Sequence, residues 1–310
     1  MNSWGMISAL TALVMGQEAY TASVESVAAD TGHEIIALDT EANERMTVSV
    51  SIMGQGPFEF IIDTGAQVSV LSRELADHLA IHEREAATLV ALNSSRAVQV
   101  VDVPDVALGS REFDIYRAPL IERENLGGAD GMLGLDSLQD QRVMLDFENN
   151  HLAVAPAKEL GGNRGFEIVV RARRRSGQLI ITNATLDGVR VAVMIDTGAQ
   201  SSTGNLALLE RLRNSRAEGV AVLTDVNGVS ANSKVRVTRS LNFGTAKLEN
   251  VLVTFADSPT FEMLDLADEP ALILGMAELR LFNRVAVDFE KRRLLFDIPG
   301  NRRRNNRRSG

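Results

Sequence analysis

The stretch Gly54-Gln55-Gly56-Pro57-Phe58-Glu59-Phe60-Ile61-Ile62-Asp63-Thr64-Gly65-Ala66-Gln67 decides the fold of this chain. Phe58, Phe60 and Ile62 fall on alternate positions, the period of a half-buried β-strand. A Gly/Pro turn opens the stretch. The strand ends at Asp63, and Gly65 permits the tight turn that follows, which bulkier residues resist. The aspartate is therefore presented at a strand end on rigid backbone.

The same segment occurs twice. Ile62-Asp63-Thr64-Gly65-Ala66-Gln67 recurs as Ile195-Asp196-Thr197-Gly198-Ala199-Gln200, an offset of 133 that also superposes Ser69 on Ser202. Met132-Leu133-Gly134 recurs as Ile273-Leu274-Gly275 at offset 141, and RVMLDFE at 142–148 recurs as RVAVDFE at 284–290 at offset 142. A given tripeptide occurs by chance about once in 25 chains of this length. Two D-T-G triplets with matching flanks and matching downstream blocks therefore mark a duplicated unit of roughly 130 residues, far longer than a solenoid repeat.

Both units read as β. Met46, Val48, Val50 and Ile52 alternate in the first unit, and Val189, Val191, Val193 and Ile195 in the second. Helical signals are few: Ser72 stands as N-cap before a short helix, and Leu206–Leu212 after Asn205 is its counterpart. The chain has 310 residues, 45% hydrophobic and 24% charged, enough for two cores of about 150 residues each. It contains no cysteine, which excludes disulfides, thiolate nucleophiles and zinc-thiolate sites. No apolar run reaches the roughly 18 residues that span a bilayer. The net charge of -9 argues against nucleic acid as a partner.

One strand-end aspartate has little chemistry. Two, brought together by twofold packing of the units, make a carboxylate pair. Like charges about 3 Å apart do not both ionise readily, so one pKa rises and the pair shares a proton. One carboxylate then serves as general base on a water, and its protonated partner donates to a substrate carbonyl.

At these residues the chain resembles the retropepsin-like aspartic proteases, over residues 46 to 298 and twice over. It is similar to bacterial members that carry G-x-G-P-F-x-F-I-I-D-T-G-A, and alanine after D-T-G is the retropepsin-like habit. The resemblance implies a mostly β fold. It has two β-barrel lobes related by a pseudo-twofold axis, with a cleft between them. Asp63 and Asp196 become the catalytic pair. Thr64 and Thr197 lock the two loops across the axis, while Gly65, Ala66, Gly198 and Ala199 shape them. Gly134 and Gly275 let backbone pass close behind. A hairpin flap is implied over each half: Asn93, Ser94 and Ser95 in the first unit, and Gly228, Val229 and Ser230 in the second. The implied activity is aspartic endopeptidase hydrolysis of an extended peptide or protein, with no cofactor and no metal. The implied particle is a monomer with an internal pseudo-dimer. A different class remains open, a module that binds peptides in this fold without cutting them. Head-to-head pairing of whole chains is a further alternative.

Weaker constellations point elsewhere. His78 and His82 lie four apart with Glu83 beside them, but they lack H-E-x-x-H and a third ligand, so they read as surface histidines. Asp146-Phe147-Glu148 and Asp288-Phe289-Glu290 read as turn and lobe-packing residues. The division expected is a signal peptide over 1–16, a leader over 17–40, a first lobe over 41–156, a linker over 157–165, a second lobe over 166–298 and a basic tail over 299–310. Trp4 to Gly16 suits a secretory h-region and so a periplasmic or secreted protein, although no basic residue precedes it; the alternative is cytoplasmic. The tail NRRRNNRRSG holds five arginines, without which the remaining 27 basic and 41 acidic residues leave -14. It reads as solvated chain, or as a basic segment that docks in an acidic cleft.

Overall fold

The structure is a computed structural model that describes residues 6–8, 47–109, 111–212 and 219–299. The segments expected as a signal peptide (apart from 6–8) and a leader, and the chain from 300 onward, lie outside the described residues. The first unit runs β1 (Met6–Ser8), β2 (Thr47–Ile52), β3 (Gln55–Ile62), β4 (Val70–Ser72), α1 (Arg73–His78), β5 (Glu85–Val90), β6 (Ser95–Leu108), β7 (Arg111–Ile121), β8 (Gly131–Leu133), α2 (Leu135–Leu138), β9 (Arg142–Asp146) and β10 (His151–Ala155). The second runs β11 (Ile168–Arg171), β12 (Arg173–Arg175), β13 (Gln178–Leu186), β14 (Val189–Ile195), β15 (Ser202–Gly204), α3 (Leu206–Arg211), β16 (Gly219–Thr224), β17 (Ser230–Phe243), β18 (Ala246–Phe255), α4 (Pro259–Met263), β19 (Ala271–Leu274), α5 (Met276–Leu279), β20 (Arg284–Asp288) and β21 (Arg293–Asp297).

Six strands of each unit close into a ring. The first ring is β6-β2-β3-β8-β4-β7, closed by β7 on β6; the second is β17-β13-β14-β19-β15-β18, closed by β17 on β13. The rings match strand for strand, as a duplication requires. Period-two patterning does the local work. In β2 Val48, Val50 and Ile52 are buried, and in β14 Val191, Val193 and Ile195 are buried. Ser72 caps α1 by accepting from the Leu75 N–H, and Asn205 caps α3 by accepting from the Leu208 N–H.

A third sheet, absent from the two-lobe expectation, joins the units. Its order is β10-β9-β20-β21-β11, so both units contribute. The repeated RV-x-x-D segments meet antiparallel at its centre, with Arg142 opposite Asp288, Met144 opposite Ala286 and Asp146 opposite Arg284. That register is itself a local twofold. Arg142 is wholly buried and donates from Nη2 to Asp288 Oδ2 at 2.6 Å. Arg284 pairs instead with Asp297 at 2.7 Å. The linker is pinned by both arginines, Arg142 through the Gly162 carbonyl and Asn163, and Arg284 through the Gly165 carbonyl at 2.6 Å. Asp146 accepts from the Asn149 N–H at 3.0 Å within its turn. The main hydrophobic core runs without a break from Val50 and Leu133 in the first ring, through Leu145 and Val285 in the shared sheet, to Val193 and Leu274 in the second. No helix among the described residues is long and apolar enough to cross a membrane.

Candidate active site

Asp63 and Asp196 leave the central strands β3 and β14 at equivalent points. The Asp63 N–H donates to the Leu133 carbonyl and the Asp196 N–H to the Leu274 carbonyl, both at 3.0 Å. Each loop then folds back on its own carboxylate. Asp63 Oδ1 accepts from the Gly65 and Ala66 N–H groups at 2.7 and 2.8 Å. Asp196 Oδ1 accepts from Gly198 and Ala199 at 2.9 and 3.1 Å. Both aspartates are fully buried. One oxygen of each is thus committed to its loop, and Oδ2 stands outside these bonds.

The two loops interlock. The Thr64 N–H donates to Thr197 Oγ1 at 3.1 Å, and the Thr197 N–H donates to Thr64 Oγ1 at 3.2 Å. Each hydroxyl donates a hydrogen bond to the opposite strand, Thr64 to the Ile195 carbonyl at 2.9 Å and Thr197 to the Ile62 carbonyl at 2.6 Å. Four bonds thus cross the pseudo-twofold axis, and the N–H and hydroxyl of each threonine are all engaged. Glycine is required at 65 because a Cβ there would lie 2.4 Å from Asp196 Cγ and Oδ2. Behind the loops, a Cβ on Gly134 would meet the Val68 backbone at 2.6 Å, and one on Gly275 the Ser201 carbonyl at 2.7 Å. The N–H groups of Leu135 and Met276 follow these glycines and donate to the Ala66 and Ala199 carbonyls at 2.9 and 2.8 Å.

Burial pushes the Asp63 carboxyl well above the ordinary carboxylate range, and the neighbouring Asp196 charge and hydrogen bond push it further the same way. The Ala66 and Gly65 amides oppose this without reversing it. The arrangement therefore holds a proton between two carboxyls at a pH where an exposed aspartate has lost its own. A second buried acid lies behind the Asp196 loop. Glu278 accepts from the Ser202 hydroxyl, and burial raises it to about 7. Ser202 Oγ also accepts from the Gly275 N–H at 3.1 Å. In the first unit Ser69 takes this place, accepting from Gly134 N–H at 3.0 Å and donating to Asp136 Oδ1 at 2.6 Å.

The hairpins β5–β6 and β16–β17 turn at 91–94 and 225–229. Asn93 and Ser94, with Gly228 and Val229, lie in these turns. Ser95 and Ser230 already belong to the strands β6 and β17, so the turns sit slightly earlier than the sequence suggests. The His78 ring meets Phe58 edge-on at 6.2 Å. Among the described residues no three His, Asp or Glu side chains converge to hold a metal.

Three polar residues escape a sequence reading. Gln178 is buried in the second unit and donates to the Gly65 carbonyl across the interface at 2.6 Å. Asp225 and Glu278 are buried carboxyls outside any repeated motif. For Glu278 the signal is the 69/202 serine coincidence, since Ser202 is its partner; Gln178 and Asp225 carry no signal, because their partners are 113 and 132 residues away.

Two family matches run in tandem along the chain. The family described as "gag-polyprotein putative aspartyl protease" matches residues 48–140, and the family described as "Aspartyl protease" matches residues 182–277. No curated protein matches. Among solved structures the chain is similar to a retropepsin-like aspartic protease from Rickettsia conorii, at 21% identity over 42% of this chain and 90% of that one, with a TM-score of 0.30.

Proposed function

We propose that the chain is a retropepsin-like aspartic endopeptidase with two units in one polypeptide, whose dyad is Asp63 and Asp196; the two tandem aspartyl protease matches support the family reading. The observation that carries this is the shared burial of the two carboxyls, with burial and the Asp196 neighbour both raising the Asp63 carboxyl above the ordinary range. A dyad with one proton supplies both roles needed for hydrolysis. The ionised carboxylate takes a proton from water as the oxygen attacks the peptide carbonyl, and the protonated carboxyl donates to the carbonyl oxygen. The amide nitrogen then takes a proton as the C–N bond breaks. The interlocked threonines keep both carboxyls in place, so little reorganisation is needed at the reacting centre. The substrate binds as an extended strand under the two hairpins.

Asp63→Asn and Asp196→Asn test the reading on a peptide library. Each is expected to lower cleavage by about 10² to 10⁴-fold, the usual worth of a general acid or base, while retaining the fold by circular dichroism. Wild-type cleavage in either variant would overturn it. Because both halves are in one chain, specific activity is also expected to stay constant on dilution, and a loss on dilution would point to pairing of whole chains.

A further inference from the structure

The two aspartate loops are built alike except at one point. In each, a glycine N–H and an alanine N–H donate to Oδ1 of the aspartate, and the alanine carbonyl accepts from the N–H that follows Gly134 or Gly275. The odd contact is Gln178, the first residue of β13 and 1% exposed, whose Nε2 donates to the Gly65 carbonyl at 2.6 Å. Among the described residues no side chain makes the matching bond to the Gly198 carbonyl; the first-unit counterpart of Gln178, ahead of Thr47, lies outside them. The loop that receives Gln178 also holds its carboxylate more closely. The Gly65 and Ala66 bonds measure 2.7 and 2.8 Å, against 2.9 and 3.1 Å from Gly198 and Ala199.

This contact reaches the dyad through a single peptide group. The Gly65 carbonyl and the Ala66 N–H are its two ends: the first accepts from Gln178, and the second donates to Asp63 Oδ1. Hydrogen bonds in such a chain polarise and strengthen one another, by about 10–30% per bond. An amide of the second unit thus acts on a carboxylate of the first. The donor is itself anchored. Ser176 Oγ donates to the Met263 carbonyl at 3.3 Å, and Arg175 Nη1 to the Leu264 and Asp265 carbonyls at 3.2 and 2.7 Å, so the turn that carries Gln178 is held by its own unit. Gly177, at φ +85°, makes that turn against Leu135 of the first unit. Gln67 Nε2 returns a longer bond, 3.4 Å, to the Ser176 carbonyl. A buried amide without a partner is costly, which ties Gln178 to the Gly65 carbonyl.

We infer that Gln178 is a positioning residue of the dyad: by fixing and polarising the Gly65–Ala66 peptide from the opposite unit, it favours the ionised Asp63 carboxylate and extends cleavage to lower pH. This rests on the peptidase reading of the dyad. The sign follows from the bonds. The singly ionised pair is the form that activates water, and a stronger N–H donor stabilises the anion. Burial and Asp196 raise the Asp63 carboxyl, and of the two amides that oppose them Ala66 has the larger effect. Gln178 stands behind that amide. Of the charged groups around this arrangement, Asp196 faces Asp63 from the second loop, Asp136 of α2 is engaged by Ser69, and Arg175 is turned onto the Leu264 and Asp265 carbonyls. Gln178 adds no charge of its own.

The test compares wild type, Gln178→Met, Gln178→Asn and Gln67→Met in the full chain. Methionine keeps the length of glutamine and removes the donor. Asparagine keeps the amide but withdraws it by one methylene. Gln67→Met cuts the other bond between this turn and the Asp63 loop. Carbon-13-labelled aspartate carboxyls are titrated by NMR, with the dyad signals assigned through Asp63→Asn. The dyad titration is expected to move up by about half a pH unit in Gln178→Met, by less in Gln178→Asn, and not in Gln67→Met. On a peptide substrate the acid limb of kcat is expected to move with it, and kcat to fall about tenfold with KM unchanged. An unmoved titration in Gln178→Met overturns the inference; if that variant does not fold, an unmoved titration in Gln178→Asn does so. An equal shift in Gln67→Met overturns it as well, because any loosening between the units would then suffice. A rise in KM with kcat unchanged overturns it too, because Gln178 would then bind substrate. A moved titration with no cleavage by wild type supports the positioning role and overturns the peptidase reading beneath it.

Discussion

Glu278→Gln is the sharpest perturbation of the scaffold behind the dyad. Glu278 lies in α5, 5% exposed, and accepts from the Ser202 hydroxyl that also holds the Gly275 N–H. Burial raises its pKa to about 7 from an ordinary 4.5, against the smaller opposing effect of the Ser202 bond. The folded state therefore binds a proton more tightly than the unfolded chain. The stabilisation is fully present below the unfolded value and is lost as pH rises through the folded one. At about 1.4 kcal/mol for each pKa unit, the loss reaches about 3 kcal/mol once pH passes 7. Glutamine keeps the shape and can still accept from Ser202, but it does not titrate. Urea unfolding of wild type and variant, at about pH 5 and about pH 8, isolates the effect. The buried dyad also raises a pKa, but it is present in both proteins and cancels in the difference. The variant is expected to gain on wild type by up to about 3 kcal/mol between the two conditions. An equal difference at both pH values would refute the reasoning, since the carboxyl would then be ionised in the fold at no cost.

Thr64→Val removes an acceptor for the Thr197 N–H and a donor to the Ile195 carbonyl. Each orphaned buried group costs about 1–3 kcal/mol, so thermal unfolding is expected to show a loss of about 2–6 kcal/mol, with Thr64→Ser recovering most of it. Gly65→Ala drives a methyl into the Asp196 carboxyl, and peptide assays are expected to show kcat falling at least about 100-fold, as for other misplaced catalytic groups. Arg142→Met leaves Asp288 buried without its partner; chemical denaturation is expected to reveal a loss of about 3–5 kcal/mol, largely restored by adding Asp288→Leu.

The strands and their repeat were legible because each rests on local chemistry. Period two from Phe58 to Ile62 and from Val189 to Ile195 marks half-buried strands whatever they pack against. The capping residues Ser72 and Asn205 act within three residues of themselves. The shared sheet was not legible. RVMLDFE and RVAVDFE read as apolar strands that end in turn and lobe-packing residues, but nothing local says that the two strands pair with each other in one sheet. The flap candidates 93–95 and 228–230 run one residue into the next strand, at Ser95 and Ser230, because polar residues continue past each turn into the outward face of that strand. Gln178 and Asp225 have ordinary neighbours in sequence, and their partners lie in the other unit.

By itself the sequence determined that there are two copies of one β unit and that each presents an aspartate at a strand end. Hydrophobic periodicity, turn glycines and duplication all act over short distances or by direct comparison of residues. Only the tertiary structure decided how the copies meet. The threonine interlock, the Gly65 contact with Asp196, the packing of the hairpin-tip residues Leu92 and Val226 among residues of the opposite unit, and the burial that raises Asp63 and Glu278 each depend on groups that are far apart along the chain. Desolvation and contact are properties of what surrounds a side chain; for the two aspartate loops and the hairpin tips the surroundings include the other half of the molecule, and for Glu278 they include Ser202, 76 residues away.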